Sequence, residues 1–214
     1  MSCPPRLLDV DLCEQLERRW ILQGAPLVEH LRPGLSVSEM EALIEPLGLR
    51  LPTEARRWWG WHDGATLGGY AVSRELGPGR QFLSLSSAVE EYQQRRRLSV
   101  QAAQGSSPPM SEPDWWWHPT WLPLVDGGGP TIACECSVVE GQPCPILVVN
   151  WHEAAEWIEF PEAASPVKAR SFGDMVGLWL KALDCGAWRF DPSQGHWDGD
   201  YTLLDPADEL TRLI

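Results

Sequence analysis

The chain has no apolar run near the roughly 20 residues that span a bilayer, and its opening residues, Met1-Ser2-Cys3-Pro4-Pro5-Arg6, lack the cationic and then apolar order of a secretion signal. No membrane contact is expected, and a cytoplasmic location is. Positive charge is also short, since 17 Lys plus Arg stand against 30 Asp plus Glu, a formal charge of −13. Such a field repels phosphate, which argues against nucleic acid and favours basic partners. Tyr and Phe are scarce, at 3 and 4 residues, while Trp numbers 13. Indole rings must therefore carry the aromatic packing, each burying about 150–250 Å². No H-E-x-x-H, G-x-S-x-G or G-x-x-x-x-G-K-[ST] sequence occurs, so the zinc-protease, serine-hydrolase and nucleotide-binding motifs are missing. Internal repeats are absent as well. Six Cys in 214 residues, without a secretion signal, point to reduced thiols and not to a disulfide framework.

What is present reads as one core, because a chain of this length buries roughly 70% of its extended surface in a single domain. Leu8, Leu12, Leu16 and Trp20 recur every four residues, placing them on one helical face until Gly24 and Pro26. Ser36 and Glu39 form a capping-box pair ahead of the stripe Val37, Met40, Leu43, Ile44 and Leu47, which stops near Gly48. Pro52 suits the first turn of a third helix, with Ala55, Trp58, Trp59 and His62 on one face and an Asp63-Gly64 turn at its end. A short strand is expected at Tyr70-Ala71-Val72 and a strand edge at Phe82–Leu85, followed by a helix capped by Ser87 and Glu90. Residues 101–114, rich in Ser and Pro, read as a loop.

Thr120–Val125, Thr131–Val139, Ile146–Trp151 and Glu156–Phe160 are β-rich runs separated by short turns, which predicts an antiparallel meander. Ser171 and Asp174 then open a helix striped with Phe172, Met175, Val176, Trp179, Leu180 and Leu183 and closed by Gly186. The tail still holds Trp188, Phe190, Trp197, Tyr201, Leu203 and Leu204, more apolar mass than a disordered end carries. The expected fold is α+β, a largely antiparallel sheet with flanking helices. Its parts are an N-terminal helical extension over 1–34, a domain over 35–186 and a packed tail over 187–214.

Several pieces occur in an order that resembles the SUKH superfamily of Knr/Smi-like proteins. These are the capped second helix, Leu51-Pro52, Asp63-Gly64, Phe82-Leu83-Ser84-Leu85, Trp121-Leu122-Pro123, the Gly127-Gly128-Gly129 turn and the late helix through Leu183. The resemblance departs from the family pattern where Pro130 replaces a carboxylate after the glycines and where Glu135 stands in the strand in place of an Asp. It implies a protein-binding module without catalytic residues or cofactors. In bacterial members such domains serve as immunity proteins against toxins of polymorphic or contact-dependent secretion systems. Fungal relatives imply the alternative, a regulatory scaffold linked to cell-wall synthesis or signalling.

The residues offer three other chemistries. Cys134, Cys136, Cys144 and His152 are soft ligands in one short region, but C-x-C lacks the C-x2-C spacing of structural zinc sites, so buried thiols are the expectation and no metal is. His62 beside Asp63 suggests acid-base work, yet a His at a helix end and an Asp-Gly turn are common structural uses, and no nucleophile accompanies them. Trp115-Trp116-Trp117 cannot all face one core. Core cover, partner contact and glycan stacking each account for them. The candidate partner-contact residues are therefore Trp61, Asp63, Trp115, Trp116, Glu135, Glu153 and Glu156, and the expected partner is a basic toxin domain.

Overall fold

The four-residue leucine spacing produces a helix, although Leu8 falls before its start because Glu54 and Arg57 take its backbone N–H and carbonyl. In the computed structural model, which describes residues 4–66, 74–105, 117–126, 131–149 and 167–204, helix α1 (Val10–Gln23) is capped by Asp9, whose carboxylate accepts the Leu12 N–H at 2.8 Å. Leu12, Leu16 and Trp20 are fully buried along one stripe. Helix α2 (Val37–Ile44) carries the reciprocal capping box, with Ser36 Oγ accepting the Glu39 N–H and the Glu39 carboxylate accepting the Ser36 N–H at 2.8 Å. Helix α3 (Thr53–Trp61) follows Pro52 and buries Ala55, Trp58 and Trp59.

Strand β1 (Leu31–Pro33) and strand β2 (His62–Ala65) pair antiparallel, Pro33 opposite His62 and Leu31 opposite Ala65. This corrects the sequence reading, which continued α3 through His62 and made Asp63-Gly64 a turn. His62 is extended, at φ −142° and ψ 137°, because β1 captures the chain directly at the helix end. Gly64 sits at φ 69°, and a Cβ there would lie 2.5 Å from the Ser84 nitrogen, so only glycine fits.

The main sheet contains β3 (Glu75–Gly77), β4 (Arg80–Phe82), β5 (Trp121–Asp126), β6 (Thr131–Glu135), β7 (Ile146–Val149) and β8 (Val167–Ala169). Its order is sequential and every pairing antiparallel, which is the expected meander in an α+β fold. β6 stops at Glu135, short of the predicted Val139, because the Glu135 carboxylate takes the Ser137 N–H at 2.9 Å and turns the chain. β8 was not foreseen. Helix α4 (Leu85–Gly105) starts earlier than the Ser87 cap predicted: Ser84 Oγ accepts the Ser87 N–H at 3.1 Å, and Asp63 accepts the Leu85 N–H. It also occupies residues 101–105, which were read as loop. The expectations at 70–72, 106–114, 151 and 156–160 lie outside the described residues.

Helix α5 (Phe172–Cys185) opens on Ser171, whose hydroxyl accepts the Asp174 N–H at 3.0 Å, and ends at Gly186. It packs on α1, α3 and β8. Beyond it, β9 (Trp188–Asp191) and β10 (His196–Gly199) form a hairpin that buries Trp188, Phe190 and Trp197. Gln23 ties this hairpin to α1, donating to the Trp188 carbonyl at 3.2 Å and accepting the Phe190 N–H at 2.8 Å. Six indoles, Trp20, Trp58, Trp59, Trp117, Trp179 and Trp188, are fully buried.

Candidate functional site

The Leu51-Pro52 segment leads into a buried carboxylate. Glu54, 1% exposed, accepts the Leu8 N–H at 2.7 Å and the Gly173 N–H at 3.0 Å on Oε1, and the Cys144 N–H at 2.7 Å on Oε2. Gly173 lies in the first turn of α5, where unpaired N–H groups and the helix dipole favour an anion. Arg57 closes the same knot by donating to the Leu8 carbonyl. Sequence reasoning missed Glu54, because its partners come from three distant places and leave no local signal.

Asp63 is turned inward as well, 3% exposed, with one oxygen accepting the Leu85 N–H at 2.7 Å and the other 3.1 Å from Arg32. Burial pushes its carboxyl above the ordinary range, against the opposing pull of the Leu85 N–H and Arg32. This aspartate holds the start of α4. Trp61 is half-buried, stacked on Trp20 at 5.8 Å and beside His62 at 4.5 Å. His62 reaches the Arg32 carbonyl at 3.0 Å and Glu17 at 3.5 Å, contacts that tie the end of α3 to β1 and α1. Glu135, half-buried, accepts from the Trp121 indole at 3.1 Å. Of the three consecutive indoles, Trp117 is core, under the Arg95 guanidinium at 5.0 Å. Trp115, Trp116, Glu153 and Glu156 lie outside the described residues.

A groove of 630 Å³ runs between α2 and the connection from β6 to β7. Met40, Ile44, Leu49 and Leu51 give it an apolar floor, Glu41 and Glu45 one lip, and Arg50, Arg56 and Glu140 the other. Arg56 is fully engaged, paired with Glu140 and donating to the Leu51 carbonyl at 2.9 Å. Hydrogen bonds from Thr53 and Arg56 hold the Glu140 carboxyl below its ordinary value. The sequence reading named none of these residues as a site.

The model of the SMI1 / KNR4 family (SUKH-1) matches residues 34–177, about two thirds of the chain. The chain belongs to that family. The SUKH-1 match contains the groove, Glu54, Asp63 and Glu135, while α1 and the β9–β10 hairpin lie beyond it. None of the curated proteins compared matches the chain. Among the described residues no helix is long and apolar enough to cross a membrane.

Three thiols also meet inside the SUKH-1 region. Cys134 Sγ lies 3.9 Å from Cys136 Sγ and hydrogen-bonds to Cys144 as well. Those two hydrogen bonds, and then burial, hold the Cys134 thiol well above its ordinary value. His152 lies outside the described residues, and among those described no group of three or more His, Cys, Asp or Glu is placed to hold a metal ion. Burial likewise pushes the Cys13 thiol up to about 12. Because burial closes four thiols to reagent, a thiol reagent at about pH 8 is expected to label exposed Cys185 readily and Cys13, Cys134, Cys136 and Cys144 only as fast as the protein opens. Peptide mapping in a Cys3→Ser background checks this, and labelling of Cys134 at the Cys185 rate refutes the packing.

Proposed function

We propose that this SUKH-1 protein is a non-catalytic immunity protein, acting in the cytoplasm, that neutralises a basic toxin domain of a polymorphic or contact-dependent secretion system by covering it. The family match over residues 34–177 carries the reading. The formal charge of −13 supports it, since an acidic surface steers a cationic partner into encounter and rejects nucleic acid and anionic membranes. Half-buried Trp61 and Glu135, with Trp115, Trp116, Glu153 and Glu156, are its proposed contact residues, the indoles as anchors and the carboxylates as the groups that meet a basic partner. Asp63 serves the reading indirectly, by fixing the start of α4.

The test is co-purification of the tagged protein from its native lysate, followed by a growth assay of cells expressing whatever toxin domain is recovered, with and without this protein. Recovery at low salt that weakens roughly tenfold as salt rises from about 50 to about 500 mM, together with protected growth, is the expected result. Recovery of a cell-wall or signalling protein in its place would overturn the toxin reading in favour of a regulatory scaffold.

A further inference from the structure

We propose that the groove between α2 and Glu140 is the docking site for that partner, and that it takes a segment in which an apolar side chain is flanked by Lys or Arg; this rests on the toxin-binding reading above. The groove, 630 Å³, is already formed and mixed in character: half-buried Leu49 and the few accessible atoms of Met40 (3% exposed) and Ile44 (2%) supply its apolar part beside the charged Glu41, Glu45, Arg50, Arg56 and Glu140. That volume falls in the range of roughly 300–1,000 Å³ typical of ligand sites, enough for a few side chains.

The lip on α2 carries charge that the free protein does not use. Glu41 and Glu45 are exposed, one helical turn apart, and neither carboxylate has an ion pair or hydrogen bond among the described residues. Like charges at that spacing repel. Glu41 lies in the last turn of α2, where the helix dipole disfavours an anion and no basic residue offsets it, and Glu45 follows as the C-cap. The whole chain adds its own negative field. All of these terms disfavour the two carboxylates in the free protein, and a cation entering from outside offsets them. An anionic occupant, whether phosphate or lipid headgroup, would worsen them.

The opposite lip sets orientation. Arg56 is paired with Glu140, and exposed Arg50, which also acts electrostatically on the Glu140 carboxyl, adds a second positive charge to the lining. A uniformly cationic strand is repelled there, whereas a segment that presents its basic residue to α2 and its apolar residue to the floor fits both edges. The required partner feature is thus a mixed apolar and basic element, not a polybasic tail.

The test uses the full chain with methyl-labelled Met and Ile and, as probe, a synthetic peptide of alternating Leu and Lys, against one of Leu and Glu. The Leu–Lys peptide is expected to shift the Met40 and Ile44 methyl resonances and the Leu–Glu peptide to leave them in place. Glu41→Lys/Glu45→Lys should weaken binding about tenfold or more, whereas Glu14→Lys/Glu29→Lys, the same charge change at exposed sites elsewhere, should alter it less than about twofold. The groove variant should also melt no lower than the parent, since its repulsion is relieved, which separates lost binding from lost fold. Equal binding by both variants, or shifts confined to other methyls, overturns the assignment. A toxin domain captured equally well by Glu41→Lys/Glu45→Lys overturns the groove while leaving the immunity reading intact.

Discussion

Glu54→Gln is expected to lower unfolding free energy by roughly 2–4 kcal/mol, although the substitution is nearly isosteric and removes only a charge and one acceptor. The wild-type carboxylate faces donors alone: Leu8 N–H and Gly173 N–H on one oxygen, Cys144 N–H on the other. An amide has a single acceptor oxygen and two donor hydrogens. Whichever way it turns, its NH2 group is driven against at least one buried N–H, and the first turn of α5 loses an anion. Chemical denaturation with an unchanged slope would measure the effect. A loss under about 1 kcal/mol would mean that the three donors do not converge there.

Trp58→Ala is expected to cost about 3–5 kcal/mol, through cavity formation and not through a polar contact. Trp58 is fully buried and its ring lies 4.6 Å from Phe82, 5.2 Å from Phe172, 5.4 Å from Trp61 and 6.1 Å from Trp179, so one truncation strips partners from α3, β4 and α5 together. Its indole N–H has no hydrogen-bond partner among the described residues. Trp58→Phe, which sacrifices volume only, should therefore retain more than half of the lost stability. Thermal melts of both variants check the pair, and equal losses would refute the cavity account.

The sequence reading succeeded wherever the determining chemistry is local. The Ser36–Glu39 box lies within four residues of itself, and the start of α2 was found to the residue. The β-rich runs of β5, β6 and β7, set apart by turn residues, likewise need no distant information beyond a neighbouring strand. Where a remote residue decides, pattern alone misleads. His62 continues the periodicity of α3, but pairing with Pro33 pulls it into β2. Ser84 and Ser87 each offer a plausible cap for α4, and the choice between them is made by Asp63, 22 residues earlier. Glu54 reads as an ordinary acidic residue in a first helical turn, since its donors stand 46, 90 and 119 residues away. The groove escaped for the same reason: α2 and Glu140 are adjacent only after folding.

The cover over α1 has a consequence for synthesis. The stripe Leu12, Leu16 and Trp20 is closed by α5 and the β9–β10 hairpin, and the Gln23 clasp on Trp188 spans 165 residues. At about 5–20 residues per second, a ribosome needs roughly 8–33 s to travel from the first half of that clasp to the second. Throughout that interval the nascent helix has only its earlier partners, α3 through the Trp20–Trp61 stack and β3 through the Leu76 carbonyl, and the knot at Glu54 lacks its α5 donor. The cover therefore closes late, and a translational stall between α4 and α5 would release a chain whose earliest helix is covered on one side alone.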